Sequence, residues 1–323
     1  MRSVRDKVLI AGAGGFIGGW LVQALLDHSD VTIIAVDKKP LSEWHQVFNV
    51  NNLIYDLRNP NEIPEIMHGV TSVYNFAADM GGMGFIENHK ADCMLSSLIN
   101  TNLLLSARDQ KVENFFFASS ACVYASFKQN KRINPPLKES DAYPADPEDG
   151  YGWEKLFGER MCRHFFEDFG IQVKIARFHN VYGPFGTWDG GREKAPAAIC
   201  RKVATAVKHG HTSIKIWGDG EQTRSFTYIT DAIEGVERLT RSKFTEPLNI
   251  GSSHLVTINE LVSIVEAISG LKLERNYELD APKGVMGRSS DNTLCKNVLG
   301  WEPSISLITG IESTYRWIYD QID

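Results

Sequence analysis

The sequence is short of cysteine, of clustered histidine, of basic charge and of long apolar runs, and each shortage closes off a class of protein. Its five cysteines, Cys93, Cys122, Cys162, Cys200 and Cys295, form no CxxC pair, and an odd number scattered over 323 residues makes no disulfide framework. Of nine histidines only His209 and His211 stand close together, in a polar stretch that reads as loop, so no metal site is expected. No apolar run nears the roughly eighteen residues needed to cross a bilayer. Met1 to Lys7 leads into Val8-Leu9-Ile10 without the pattern of a secretory signal. A net charge of −6 gives no basic field for nucleic acid or an anionic membrane, so any phosphate ester must be held by local positive groups. The expected home is the cytoplasm. What is there, 43% hydrophobic and 23% charged residues, is the balance of a folded globular chain long enough for two lobes.

Lys7 to Ala13 is an apolar run ending in glycines, and Phe16 to His28 then places Phe16, Trp20, Leu21, Leu25 and Leu26 at helical spacing. Val31 to Val36 is a second strand closed by Asp37. Ser72 to Ala77 and Asn114 to Ala118 repeat the theme around a long helix from about Asn88 to Asp109. Asn134 to Gly150 holds Pro135, Pro136, Pro144 and Pro147 and reads as a surface loop. A helix follows from Tyr151 to Phe169, then a strand from Val173 to Phe178. After Gly183 the pattern loosens, with helices to Lys208, near Asp231 to Arg241, Ile258 to Ser269 and Leu307 to Ile322. The expected fold is α/β, a doubly wound parallel (Rossmann) sheet with a smaller C-terminal α/β domain. The first lobe would take 1–180 with a returning segment at about 227–252, and the second 181–226 and 253–323.

Gly12, Gly15 and Gly18 make GxxGxxG, with Phe16 and Ile17 between the last two, at the turn from the first strand into its helix. Absent Cβ atoms there let a backbone approach a pyrophosphate at the helix N-terminus, although three glycines alone are equally a plain turn. Asp37, about twenty residues on at the end of the second strand, is placed to accept hydrogen bonds from a ribose and to repel a 2′-phosphate. NAD is therefore expected over NADP, with Lys38 and Lys39 able to moderate that preference. Asp56 could reach the adenine region or serve as a turn acid beside Arg58.

Tyr151 and Lys155 are four apart on one helix face, and Ser119 and Ser120 end a strand at the carboxyl edge of the sheet. An ammonium near a phenol favours phenolate and makes tyrosine a usable base. Together with the glycines, these residues resemble the extended short-chain dehydrogenases. The resemblance implies that Tyr151 takes a hydroxyl proton, Lys155 holds the ribose and tunes the tyrosine, and Ser120 orients substrate.

Cys122 lies two residues beyond Ser120, where a cysteine is most often a small buried hydrophobe. Dehydratases of the superfamily carry an acid at about this place, and Ala121-Cys122 disfavours that chemistry. Once a sugar C4 hydroxyl is a ketone, the protons on C3 and C5 become acidic, and inversion needs a proton-transferring group on each face. Cys122 is one candidate and Lys194 the other; a lysine in a Gly/Pro-rich loop is usually solvated, but in a closed site beside Arg192 its pKa would fall.

Four longer strings, Ala77 to Phe85, Arg177 to Trp188, Gly191 to Pro196 and Trp217 to Phe226, resemble the GDP-mannose 3,5-epimerases. That resemblance implies GDP-D-mannose as substrate, GDP-L-galactose and GDP-L-gulose as products, and Cys122 and Lys194 as the acid/base pair. It also implies substrate contacts at Gly81, Gly82, Asn180, Glu193, Lys202, Gln222, Arg288 and Tyr315, with Arg288 a two-point partner for the diphosphate. Ala125-Ser126 departs from the proline and acid common in the family. A homodimer on the helices at 88–109 and 151–169 is implied as well. The alternatives are a GDP-fucose-synthase-like epimerase/reductase, against which Asp37 and Lys194 speak, a simple C4 epimerase, and a noncatalytic NAD-binding regulator, which would need no Tyr151, Lys155, Cys122 and Lys194 together.

Overall fold

The computed structural model describes residues 6–28 and 30–323. The sequence reading of the first five residues lies outside that range. Near-continuous apolar strands are what a sheet covered on both faces requires, and the N-terminal part supplies them in alternation with helices. In order these are β1 (Asp6–Ala11), α1 (Phe16–Leu26), β2 (Val31–Asp37), β3 (Asn51–Ile54), α2 (Ile63–Ile66), β4 (Ser72–Asn75), α3 (Met83–Asn88), α4 (Lys90–Asp109), β5 (Asn114–Ser120), α5 (Asp149–Phe169) and β6 (Gln172–Phe178). The helix expected from Asn88 begins at Lys90, because His89 takes a non-helical conformation between α3 and α4.

The later chain supplies β7 (Val181–Tyr182), α6 (Ala195–His209), β8 (Ser213–Trp217), β9 (Thr223–Ser225), β10 (Thr227–Tyr228), α7 (Ile229–Arg241) and β11 (Pro247–Ile250). It ends with β12 (Leu255–Thr257), α8 (Ile258–Ser269), β13 (Glu274–Glu278), β14 (Gly287–Arg288), α9 (Thr293–Leu299) and α10 (Leu307–Gln321). His209 belongs to the last turn of α6, which Gly210 closes at φ +70°, so only His211 lies in the loop.

The main sheet is parallel in the order β11-β6-β5-β4-β1-β2-β3. Strand order reverses between β1 and β4, the place where such folds open a crevice at the carboxyl ends of their strands. One face buries Leu21, Leu25, Ile233 and Val236 from α1 and α7, and the other Leu103, Leu104 and Cys162 from α4 and α5. A separate core joins Val203, Leu261, Val265, Ile311 and Ile318 from α6, α8 and α10 with Ile214 and Ile216 of β8. β11 comes from the C-terminal half yet extends the first sheet.

The proline-rich segment 134–150 is not simply a surface loop. Leu137 is buried with Ala121, Val123 and Tyr124, and its amide donates to the Ser289 carbonyl at 2.9 Å. Burying one leucine is worth roughly 1.5–3 kcal/mol, enough to help pin a segment whose regular structure before α5 is a 3-10 turn at Glu139–Ala142 and a bridge from Leu137 to Ser290. Pinned in this way, it ties the end of β5 to the strand that carries Arg288.

Candidate active site

At the first turn, Gly12 has φ +81° and a Cβ there would lie 2.8 Å from the Ala77 nitrogen, while a Cβ on Gly18 would run into the Gly12 carbonyl. Gly15 precedes α1, and its amide donates to the Gly12 carbonyl at 3.0 Å. Phe16 and Ile17 then open the helix. At Gly12 and Gly18 only glycine fits, and the turn presents a helix N-terminus at the sheet's crevice, as a pyrophosphate requires. Asp37 sits at the end of β2 and accepts from the Lys39 amide at 3.1 Å. Lys38 is bonded instead to Asp79 at 2.7 Å, and the Lys39 ammonium to the Gly14 carbonyl at 2.8 Å. Neither ammonium is bonded to Asp37. The residues fit NAD. Asp56 is bound by Arg58 at 2.5 Å, and that hydrogen bond holds its carboxyl below the usual range.

Ser120 ends β5, and its hydroxyl accepts from the Cys122 amide at 3.2 Å, which sets the short turn that carries the thiol. Its neighbour Ser119 is turned the other way, donating to Glu159, which in turn pairs with buried Arg177 at 2.6 Å. Tyr151 and Cys122 share a buried cluster with Phe85, Ile86 and Cys93. Burial pushes the Tyr151 phenol well above its ordinary value, Cys122 and Glu154 push the same way, and the Ser120 hydroxyl pulls back. This differs from the expected depression by Lys155. The Lys155 ammonium lies 5.6 Å from the centre of the Tyr151 ring, 4.9 Å from that of Phe117, and pairs with Glu154 at 3.4 Å.

Lys194 stands just before α6 and lines the same cavity as Cys122 and Tyr151, a space of about 470 Å³ between the main sheet and β8. Such a volume suits a small-molecule ligand, for which roughly 300–1,000 Å³ is usual. Surrounding protein lowers the Lys194 pKa by desolvation, Arg288 lowers it further, and Cys122 opposes them. Arg192 plays no part: its guanidinium lies 3.8 Å over the Phe85 ring and 3.4 Å from Asp79. The Cys122 thiol is pushed up by burial and by Glu148, against Arg288.

Arg288 is buried at the thiol. Its Nη1 reaches Cys122 Sγ at 3.6 Å, Nη2 donates to Glu148 at 2.7 Å and Nε to Gln129 at 2.5 Å. All three arms are engaged inside the protein, and Arg288 borders the cavity beside the Cys122 thiol. Glu148 and Arg224 also line the cavity, and neither was singled out from sequence. Glu148 lies three residues before Tyr151, a spacing that puts both on one side of a helix start. Arg224 is held by the carbonyls of Thr223 and Lys283, and burial followed by Arg288 brings its pKa down to about 10.

Gly81 and Gly82 line the cavity for a reason besides flexibility. The Gly82 amide donates to the Arg192 carbonyl at 2.9 Å, and a Cβ on Gly82 would lie 2.5 Å from the Glu193 carbonyl. Backbone contact thereby joins this loop to the one bearing Lys194. Asn180, at φ +42°, donates to the Ser225 carbonyl. Glu193 accepts from Gly191 and Arg201, each at 2.7 Å, and Lys202 donates to the Lys215 carbonyl at 2.7 Å. Gln222 leaves a buried Oε1 without a partner. All four border the cavity. Tyr315 does not: it packs in the core of α6, α8 and α10 beside Tyr319, and is corrected from a substrate contact to a core residue. No candidate metal cluster occurs among the described residues, and none of their helices is long and apolar enough to cross a membrane.

Residues 8–251 match the NAD dependent epimerase/dehydratase family. The chain is 47% identical over 322 residues to GDP-mannose 3,5-epimerase 1 of Oryza sativa subsp. japonica, spanning 99% of this chain and 84% of that protein. It is also 47% identical over 319 residues to GDP-mannose 3,5-epimerase of Arabidopsis thaliana, spanning 98% and 83%. Among solved structures, UDP-glucuronic acid 4-epimerase from Bacillus cereus, in complex with UDP-glucuronic acid and NAD, superimposes with a TM-score of 0.84 at 26% identity over 98% of this chain and 100% of that one. UDP-glucose 4-epimerase from Thermotoga maritima gives 0.88 at 23% identity over 98% and 100%, a likeness of fold alone.

Proposed function

Because this chain belongs to the NAD dependent epimerase/dehydratase family, we propose that it converts GDP-D-mannose to GDP-L-galactose and GDP-L-gulose by inverting C5 and C3 around a transient C4 ketone. The observation that carries this reading is one cavity bordered by Ser120, Cys122, Tyr151 and Lys194. A simple 4-epimerase needs the serine and tyrosine but has no use for a thiol and an amine.

The Gly12, Gly15 and Gly18 turn and Asp37 would hold NAD, which would supply a reversible hydride acceptor for C4, so the cycle would need no outside reductant. Tyr151 accepts the C4 hydroxyl proton while Ser120 orients that oxygen. Lys155, buried against the Tyr151 ring, supplies positive charge as the phenol loses its proton. With C4 a carbonyl, the bond from hydrogen to C5 or C3 breaks to leave an enolate. The Cys122 thiolate takes that proton from one face, and the Lys194 ammonium returns one to the other. This inversion leaves a thiol and a neutral amine; a second inversion in the opposite sense restores the pair. Desolvation of Lys194 readies its ammonium to surrender the proton. Gly81, Gly82, Asn180, Glu193, Lys202 and Gln222 form the remaining substrate contacts in this reading.

We divide the chain into an NAD-binding lobe, 1–180 with 227–252, and a substrate lobe, 181–226 with 253–323; the return of β11 to the first sheet supports this. A homodimer is supported by exposed Met94, Leu95 and Leu98 on α4 and exposed Trp153 and Phe157 on α5, which an identical pair of helices would cover. Leu98→Arg with Phe157→Arg is expected to halve the mass measured by sedimentation equilibrium.

The decisive experiment is NMR of products after the NAD-loaded protein meets GDP-mannose in heavy water with no added reductant. New L-hexose nucleotides carrying deuterium at C5 and C3 are expected. Folded, NAD-loaded protein that leaves GDP-mannose unlabelled and unchanged would overturn the reading.

A further inference from the structure

We propose that Glu148 is a positioning residue for proton exchange at Cys122, holding the Arg288 guanidinium against the sulfur. The proposal rests on the acid/base role given to Cys122 above. The geometry behind it is a closed ring of three contacts. The Glu148 amide donates to the Cys122 carbonyl at 2.9 Å, its carboxylate accepts from Arg288 Nη2 at 2.7 Å, and Arg288 Nη1 reaches Cys122 Sγ at 3.6 Å. Gln129 fixes the remaining arm of Arg288 at 2.5 Å. Glu148 also precedes the first residue of α5 and accepts from the Gly152 amide at 2.9 Å, so the same residue starts the helix that carries Tyr151.

Charge decides what this ring does. Cys122 is faced by Glu148 and Tyr151 at the start of α5, Arg288 of β14, Arg224 of β9, Lys194 before α6 and Cys93 of α4. The Glu148 carboxylate disfavours a thiolate and the Arg288 guanidinium favours one. Burial by itself would push the Glu148 carboxyl up, but Arg288 outweighs it and keeps Glu148 ionised. An ionised Glu148 therefore both anchors the cation and opposes the thiolate that the cation favours, so the balance between the two charges sets how readily the sulfur exchanges its proton.

Two readouts test this. The first is alkylation of Cys122 by iodoacetamide across pH, with the labelled site assigned by mass spectrometry; it needs no substrate. Glu148→Gln keeps an acceptor for Arg288 but removes the negative charge. Its labelling midpoint is expected to fall by about one pH unit, equivalent to about tenfold faster labelling on the low-pH limb. Arg288→Lys, which retains charge but loses the second arm, is expected to raise the midpoint. The second readout is deuterium exchange at C5 and C3. Glu148→Ala is expected to lose up to about 10²-fold, the scale on which misplacement of a reacting group acts, and Glu148→Gln to recover most of that loss. Labelling curves for Glu148→Gln and Arg288→Lys that superimpose on the wild type would overturn the proposal, as would Glu148→Ala exchanging at the wild-type rate. If the wild type exchanges nothing at C5 or C3, the epimerase reading fails while the labelling curves still decide Glu148.

Discussion

The Lys155 ammonium lies over the face of the Tyr151 ring, 5.6 Å from its centre, with Glu154 at 3.4 Å as its counter-charge. A cation so placed in a buried site is attracted to the ring as well as to the carboxylate. It stands beside a phenol that burial makes reluctant to ionise. For Tyr151 to take the sugar hydroxyl proton it must first be ionised, against its own burial and with the Lys155 ammonium as the charge that favours the phenolate. Tyr151→Phe keeps the ring and the cation contact but removes the oxygen, and is expected to lower turnover of GDP-mannose by about 10²–10⁴-fold. Steady-state product formation checks it, with NAD content measured alongside; a variant within tenfold of the wild type refutes the role.

Cys122 and Lys194 are expected to fail differently from Tyr151. In Cys122→Ala the oxygen-handling groups remain, so C4 oxidation persists and a single turnover still shows nicotinamide absorbance at the reduced wavelength. Deuterium at C5 and C3 should vanish. Lys194→Met is expected to do the same, because inversion needs a group on each face. Normal L-hexose formation by either variant would remove that residue from the acid/base pair.

Asp37 should govern NAD affinity without being the sole barrier to NADP. Its carboxylate would accept charge-assisted hydrogen bonds, worth about 1.5–3 kcal/mol, so Asp37→Ala is expected to weaken NAD binding roughly 10–100-fold. NADP should gain little in that variant, since Lys38 is engaged by Asp79 and Lys39 by the Gly14 carbonyl. Calorimetric titration with both nucleotides checks this. Strong NADP binding by Asp37→Ala would show that the lysines are free to turn.

The elements that sequence revealed were those whose cause is local. GxxGxxG forces a tight turn wherever it occurs, Tyr151 and Lys155 share a helix face by periodicity, and the apolar runs of β1, β2, β5 and β6 announce buried strands. What it could not reveal depends on residues far apart in the chain. Arg288 and Cys122 are separated by 166 positions, and only the fold brings the guanidinium to the sulfur. Tyr315 looked like a contact residue because resemblance carries no packing information; α10 faces it into the third core instead. Glu148 escaped notice within a proline-rich loop, since nothing at its own position tells that a guanidinium arrives from β14.

His179 gives the protein an acid sensitivity of predictable sign. Its Nε2 is bonded at 3.0 Å to Asn249 Oδ1, which can only accept, so the ring donates there and its buried Nδ1 has no partner. A proton on Nδ1 would be a buried charge beside Arg177 and Arg288. Burial first, then these arginines, against the Asn249 hydrogen bond, bring the pKa from 6.5 down to about 3. Between those two values the unfolded chain binds a proton that the folded one refuses, so stability falls as pH drops through 6.5 and continues to fall toward 3. Of that loss, about 2 kcal/mol should appear between pH 7 and pH 5. Urea unfolding at the two pH values measures it, with His179→Asn as the non-titrating comparison. The variant starts less stable but should lose less between pH 7 and pH 5; equal losses would mean that another group sets the acid limit.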